Sequence, residues 1–350
     1  MHSRLRFWKY PLIVILLFLL TAAFALVYDL ADTATAPYQR IEEPVIETPQ
    51  QDEDEEPEEE EIEEEPEEEE IDPVIALNYN PAEDGFITYN MDASDIYTGY
   101  LMLVNQDHEY NIPDNLNLVP IVEAQSITYR VQFDVSQLLQ SIIEPLDNMM
   151  EAFISTTNNK SVAIISAFRN IETQQRVLNN YIARMGRREA LNWAALPGHS
   201  EHHTGLAFDF GIMSGNNRST FTGTGNTSWF RQNSYNYGFI LRFPQNKTHI
   251  TKTSYEPWHF RYVGIPHSII INKNNWCLEE YIDIIRDYTF EEPLEFEHDG
   301  VSYEIYFTTE TEIKLPLHCE YTISGNNVDG FIITAVRLEF DPDEVIDVSI

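Results

Sequence analysis

The chain has 350 residues, 43% of them hydrophobic, which is longer than one typical domain and enough to bury a sizeable core. Its formal charge of −37 is unevenly spread, because residues 42–72 hold 20 acidic side chains and no Lys or Arg. Nucleic acid is set aside as a partner, since binding it takes a basic footprint that neutralises phosphates and releases counterions.

Arg4, Arg6 and Lys9 precede an apolar run at 11–28 that only Thr21 interrupts. A run of this length predicts a transmembrane helix, or the core of a signal segment cleaved near Ala23-Phe24-Ala25. The basic flank keeps residues 1–10 in the cytoplasm and sends the rest outward. The expected placement is thus a single-pass membrane protein with its folded part extracytoplasmic, or a secreted one if cleaved. Residues 29–74, rich in Pro, Thr and Glu, predict a disordered acidic linker that self-repulsion extends.

Globular composition begins near Pro73, and the main domain is expected over 75–290. Tyr100–Val104 reads as a short buried strand, followed by a polar turn through 105–108. Leu138, Leu139, Ile142, Ile143, Leu146, Met149 and Met150 recur at spacings of three and four, which predicts an amphipathic helix. Val162–Ser166 reads as a strand and 172–185 as a second helix. Leu206–Phe210 and Trp258–Val263 are further short strands, and Leu278, Tyr281, Ile282 and Ile285 mark one face of a closing helix. Residues 291–350 predict a small β-rich appendage, with Val301, Tyr303, Ile305 and Phe307 alternating and 330–336 forming another strand. The two cysteines, Cys277 and Cys319, can pair across about 40 residues in an exported chain or stay free. The order of elements is that of an α+β fold.

Chemistry concentrates in Pro197-Gly-His-Ser-Glu-His-His-Thr-Gly-Leu-Ala-Phe-Asp-Phe210. On a strand through 205–210, Leu206, Phe208 and Phe210 point into the core while Ala207 and Asp209 share the other face. An acid so placed needs a partner, and a cation supplies one. A second stretch, Tyr255-Glu-Pro-Trp-His-Phe-Arg-Tyr-Val-Gly264, puts His259, Arg261 and Val263 on one face, with Glu256 held at a rigid offset by Pro257. His202, Asp209 and His259 form a two-His, one-carboxylate set that leaves tetrahedral zinc a fourth position for water, with Glu256 as the base beside it. On spacing alone His199 or His203 could replace His202, and the same set suits non-haem iron.

The two stretches resemble the signature pair of the VanY-type zinc D-alanyl-D-alanine carboxypeptidases, S-x-H-x-x-G-x-A-x-D followed by E-x-W-H. Here these are Ser200, His202, Gly205, Ala207 and Asp209, then Glu256, Trp258 and His259. The resemblance implies one zinc ion on His202, Asp209 and His259, with Glu256 as the catalytic base. It also implies the hedgehog/DD-peptidase fold, a small antiparallel sheet with flanking helices. A third element, S-x-Y-R-x-x-x-x-Q, is matched by Ser166 to Gln174 with Phe168 in place of Tyr. By that match Arg169 faces a substrate carboxylate or the developing oxyanion, and Gln174, with Ser200 of the first signature, contacts the substrate or the residues that hold the site around it. Similarity covers roughly residues 100–287. Lys252 departs from the glycine that relatives often carry, which leaves substrate preference less secure than reaction type. The implied activity is removal of the terminal D-alanine from peptidoglycan stem peptides. An L,D-carboxypeptidase acting on tetrapeptide stems and a non-catalytic wall-binding module are the alternatives.

Overall fold

The computed structural model describes residues 85–337 apart from 114, 216 and 318, so the expected anchor, the whole linker and residues 338–350 lie outside the described residues. Before the first long helix come β1 (Phe86–Asn90), β2 (Leu118–Pro120), β3 (Arg130–Val131) and β4 (Gln137–Leu139). Helix α1 (Ile143–Thr157) leads into β5 (Val162–Ser166), and α2 (Ile171–Met185) precedes β6 (Ala207–Ser214), β7 (Asn217–Thr220), β8 (Phe239–Leu241) and β9 (His259–Tyr262). Helices α3 (His267–Lys273) and α4 (Leu278–Ile285) follow, then β10 (Leu294–His298), β11 (Val301–Thr308), β12 (Glu312–Pro316), β13 (Cys319–Gly325) and β14 (Phe331–Arg337). Among the described residues, no helix is long and apolar enough to cross a membrane.

The central sheet runs β3-β5-β6-β9-β8, with β7 paired to the far half of β6. Its pairings are antiparallel except β3 with β5, which makes the expected antiparallel sheet mixed at one edge. Strand β6 organises it. Alternation sends Phe208 and Phe210 into a core shared with Phe153, Phe230 and Phe260, while Asp209 turns to the opposite face. Helix α1 covers that core through Leu146, Met149, Met150 and Phe153.

Two predicted elements change. Leu138 and Leu139, expected in a helix, lie in β4, where Leu139 pairs with Leu118, and the helix begins at Ile143 after a 3₁₀ turn. Their side chains fit either period, so strand partners far along the chain decide. Tyr100–Val104 pairs with no strand among the described residues, although residues 101–104 are buried. Instead Leu101 and Leu103 enter one core, Met102 and Val104 another, and the carbonyls of Tyr100 and Met102 accept from the Arg261 guanidinium.

The C-terminal strands form a four-stranded sheet ordered β10-β11-β14-β13. It does not stand apart: β1 and β12 form a separate pair whose Ile87, Ile313 and Leu315 share a core with Tyr306, Phe331 and Ile333 of this sheet, and Ile305 of β11 and Ile332 of β14 share another with Leu278, Ile282 and Ile285 of α4. Cys277 and Cys319 are both free thiols, so the disulfide considered above is not formed.

Candidate metal centre

Cross-strand register places the first pair of functional side chains. Asp209 of β6 lies opposite His259 of β9, and on its other edge opposite Ser166 of β5. His202 arrives from the 3₁₀ turn Glu201–Thr204, which Gly205 ends in the left-handed region at φ 69°. A Cβ at Gly205 would stand 2.8 Å from Leu118 Cδ2, so glycine alone fits this close approach.

His202 Nδ1 lies 2.6 Å from the Ala167 carbonyl, so that nitrogen carries the proton and Nε2 keeps its lone pair. Nε2 is buried, has no hydrogen-bond partner and lies 3.4 Å from Asp209 Oδ2. His259 Nδ1 lies 2.8 Å from Asp209 Oδ1. One donor atom from each of His202, Asp209 and His259 falls within 4.8 Å of the others. Two imidazole nitrogens, a carboxylate and an orphaned buried lone pair are a donor set that fits a metal ion.

His203, the neighbour that spacing could not separate, is fully buried and uses both ring nitrogens. Nδ1 meets Arg169 O at 2.5 Å, and Nε2 accepts from Gly198 N at 3.1 Å. His199 bonds through Nδ1 to Asn105 O at 2.9 Å. Neither joins the cluster.

Burial alone would raise the Asp209 carboxyl, but His202 and His259 outweigh it and hold it well below the usual carboxylate range. Burial and the Arg169 charge push the His202 imidazole down to about 4. Burial also opposes charging His259, yet its contacts with Asp209 and Glu201 raise it to about 9. Glu256 sits three residues before His259 with its own N–H on Phe243 O, and burial pushes its carboxyl up to about 8.

Arg169 is half-buried beside this cluster, its N–H donating to His202 O at 3.1 Å, and its charge is felt by both His202 and Glu256. Ser200 is buried at the start of the turn, where its carbonyl accepts from His203 N. Gln174 is 1% exposed and donates Nε2 to Ala195 O at 2.8 Å, which puts it behind the 195–198 turn.

Residues 135–265 match the family described as VanY, D-alanyl-D-alanine carboxypeptidase. The chain is 39% identical over 135 residues to the bifunctional D-Ala-D-Ala dipeptidase and D-Ala-D-Ala carboxypeptidase VanXYC of Enterococcus gallinarum, covering 37% of this chain and 71% of that one. The chain belongs to the VanY family. It is also 43% identical over 144 residues to the D-alanyl-D-alanine carboxypeptidase of Enterococcus faecium, a match to 40% of this chain that spans only 45% of that enzyme. Among solved structures, the vancomycin resistance D,D-dipeptidase VanXYg, in complex with a D-Ala-D-Ala phosphinate analogue, superposes with a TM-score of 0.65 at 34% identity. That likeness covers 72% of this chain and 99% of the other, more than residues 100–287 can supply, so it takes in elements beyond that region.

Lys252 occupies the left-handed region at φ 58°, the conformation glycine adopts freely, and its ammonium pairs with the exposed Asp107 carboxylate. Sequence reasoning missed the charges behind the site. Glu201 and Glu279 bracket Arg242, and Arg261 also binds Glu201, all four being buried. The signal was present in Glu201 beside His202 and in Arg261 two residues after His259, on the same strand face.

Proposed function

We propose that the chain is an extracytoplasmic zinc carboxypeptidase that hydrolyses the terminal D-Ala-D-Ala amide bond of peptidoglycan stem peptides. The observation that carries this reading is the convergence of His202, Asp209 and His259 around a buried lone pair, beside a buried Glu256. Zinc held by these three residues would polarise the scissile carbonyl and lower the pKa of water. Glu256 takes the proton of the attacking water and returns it to the leaving amine, a role open to a carboxyl buried beside the cluster. Arg169 supplies a fixed positive charge for the terminal carboxylate or the developing oxyanion. Ser200 and Gln174 shape the turn that carries His202 and the 195–198 segment, and act on the substrate from there.

The substrate assignment rests on relatives that are named for D-Ala-D-Ala carboxypeptidase activity. The basic flank and apolar run at 1–28, with the acidic linker after them, support a catalytic unit held outside the membrane. The test is to incubate purified, zinc-loaded protein with pentapeptide, tetrapeptide and tripeptide stems and identify the products by mass. Release of D-alanine from the pentapeptide is expected. Release from the tetrapeptide alone would make it an L,D-enzyme, and no release from any stem would make it a binding module.

A further inference from the structure

Glu201 lies next to His202 and is 3% exposed, yet it is not one of the three converging ligands. Its oxygens have different surroundings. Oε1 accepts from Arg242 Nε at 2.7 Å and from Arg261 Nη1 at 2.8 Å. Oε2 has no hydrogen-bond partner and stands 3.5 Å from His259 Nε2, which has none either. Arg242 is tied on its other side to both oxygens of Glu279, at 2.9 and 2.7 Å, and Arg261 Nη2 donates to Tyr100 O and Met102 O. Buried charges persist only when paired in this way, and the arrangement leaves the Glu201 carboxylate little freedom to turn.

The two histidines then present opposite nitrogens. His202 is held at Nδ1 by the Ala167 carbonyl and offers Nε2, whereas His259 offers Nδ1 beside Asp209 and points Nε2 at Glu201. An imidazole that donates its Nδ1 lone pair to a metal carries its proton on Nε2, and that buried N–H requires an acceptor. We propose that Glu201 is the positioning residue for His259, accepting the Nε2–H so that Nδ1 stays turned to the metal, with Arg242 and Arg261 fixing the carboxylate. This rests on the reading of His259 as a metal ligand.

Glu201→Gln makes the proposal testable, because the two arginines demand an acceptor and so turn the amide NH₂ toward His259 Nε2. That orientation favours a proton on Nδ1, the nitrogen the metal needs. The variant is expected to bind zinc about 10–100-fold more weakly in competition with a chelator. In ¹⁵N-histidine NMR of the zinc-loaded proteins, the variant is expected to lose the hydrogen-bonded Nε2–H shift that His259 shows when Glu201 is present. A folded variant with unchanged affinity and an unchanged Nε2–H shift overturns the proposal. If the variant does not fold, the spectrum of the zinc-loaded natural protein decides. Metal on Nδ1 with a proton on Nε2 supports the assignment, and metal on Nε2 overturns it. A natural protein that takes up no zinc overturns the metal-centre reading, and the proposal with it.

Discussion

Glu256 must shed its proton to act as a base, and its burial opposes that, holding the carboxyl up at about 8 in the metal-free pocket. A cation bound alongside stabilises the carboxylate and draws that value down. Glu256→Gln keeps the shape and removes the base, so zinc content should be unchanged while kcat for a D-Ala-D-Ala pentapeptide falls by roughly 10²–10⁴-fold. Near-normal turnover would remove Glu256 from the mechanism. Arg169→Ala should raise KM or lower kcat at least tenfold with one zinc retained, and unchanged kinetics would end its substrate role. Protons and metal compete at His259. Its imidazole is raised to about 9 and is protonated at neutral pH without metal, so zinc uptake there should release a proton and tighten as pH rises toward 9. Calorimetry in buffers of different ionisation enthalpy counts that proton, and a buffer-independent heat would contradict it.

The strands do what single residues cannot. The 209–259 register brings together two candidate ligands 50 residues apart, and a one-residue slip of β9 would turn His259 to the core face and away from Asp209. Gly205 sets the third ligand. Gly205→Ala forces a left-handed residue, at roughly 1–2 kcal/mol, and a Cβ into Leu118, so the turn must shift and carry His202 with it. The expected outcome is a folded protein with weakened zinc binding, read by chelator competition. Undiminished affinity would show that the turn tolerates the change. The apolar run of β5 and the alternating residues of β6 and β9 made these strands legible in the sequence. Tyr100–Val104 is as apolar as β5, yet its Tyr100 and Met102 carbonyls go to the Arg261 side chain, a partner that no local pattern announces.

At the scale of the molecule, the C-terminal sheet is joined to the peptidase region by buried polar contacts as well as by apolar packing. Asn327, at the turn between β13 and β14, donates to Leu103 O and Glu109 O. His267 of α3 bonds Tyr281 of α4 through Nδ1 and Thr334 of β14 through Nε2. Burial pushes this imidazole down to about 3. The unfolded chain takes up the proton near 6.5 and the folded one only near 3, so the stability present above pH 6.5 is lost as pH falls toward 3. His267→Leu should flatten the fall of Tm over that interval, whatever its effect on Tm at neutral pH. An unchanged slope would show that His267 does not set the acid sensitivity.

What the sequence determined by itself is the inventory: the α+β order of elements, the two motif stretches, and the residue types able to hold a metal. These are local properties, set by side-chain period and by short spacings between chemically distinctive groups. The motif match singled out His202 over His199 and His203; what only the tertiary structure shows is which imidazole nitrogens keep a lone pair, because hydrogen bonds from distant carbonyls and amides determine that. It also decided that the cysteines stay apart and that the C-terminal strands pack on α4 and β1. The four buried charges of Glu201, Arg242, Arg261 and Glu279 belong to that second class, since pairing between residues 37 to 60 positions apart follows from how sheet, turn and helix come together.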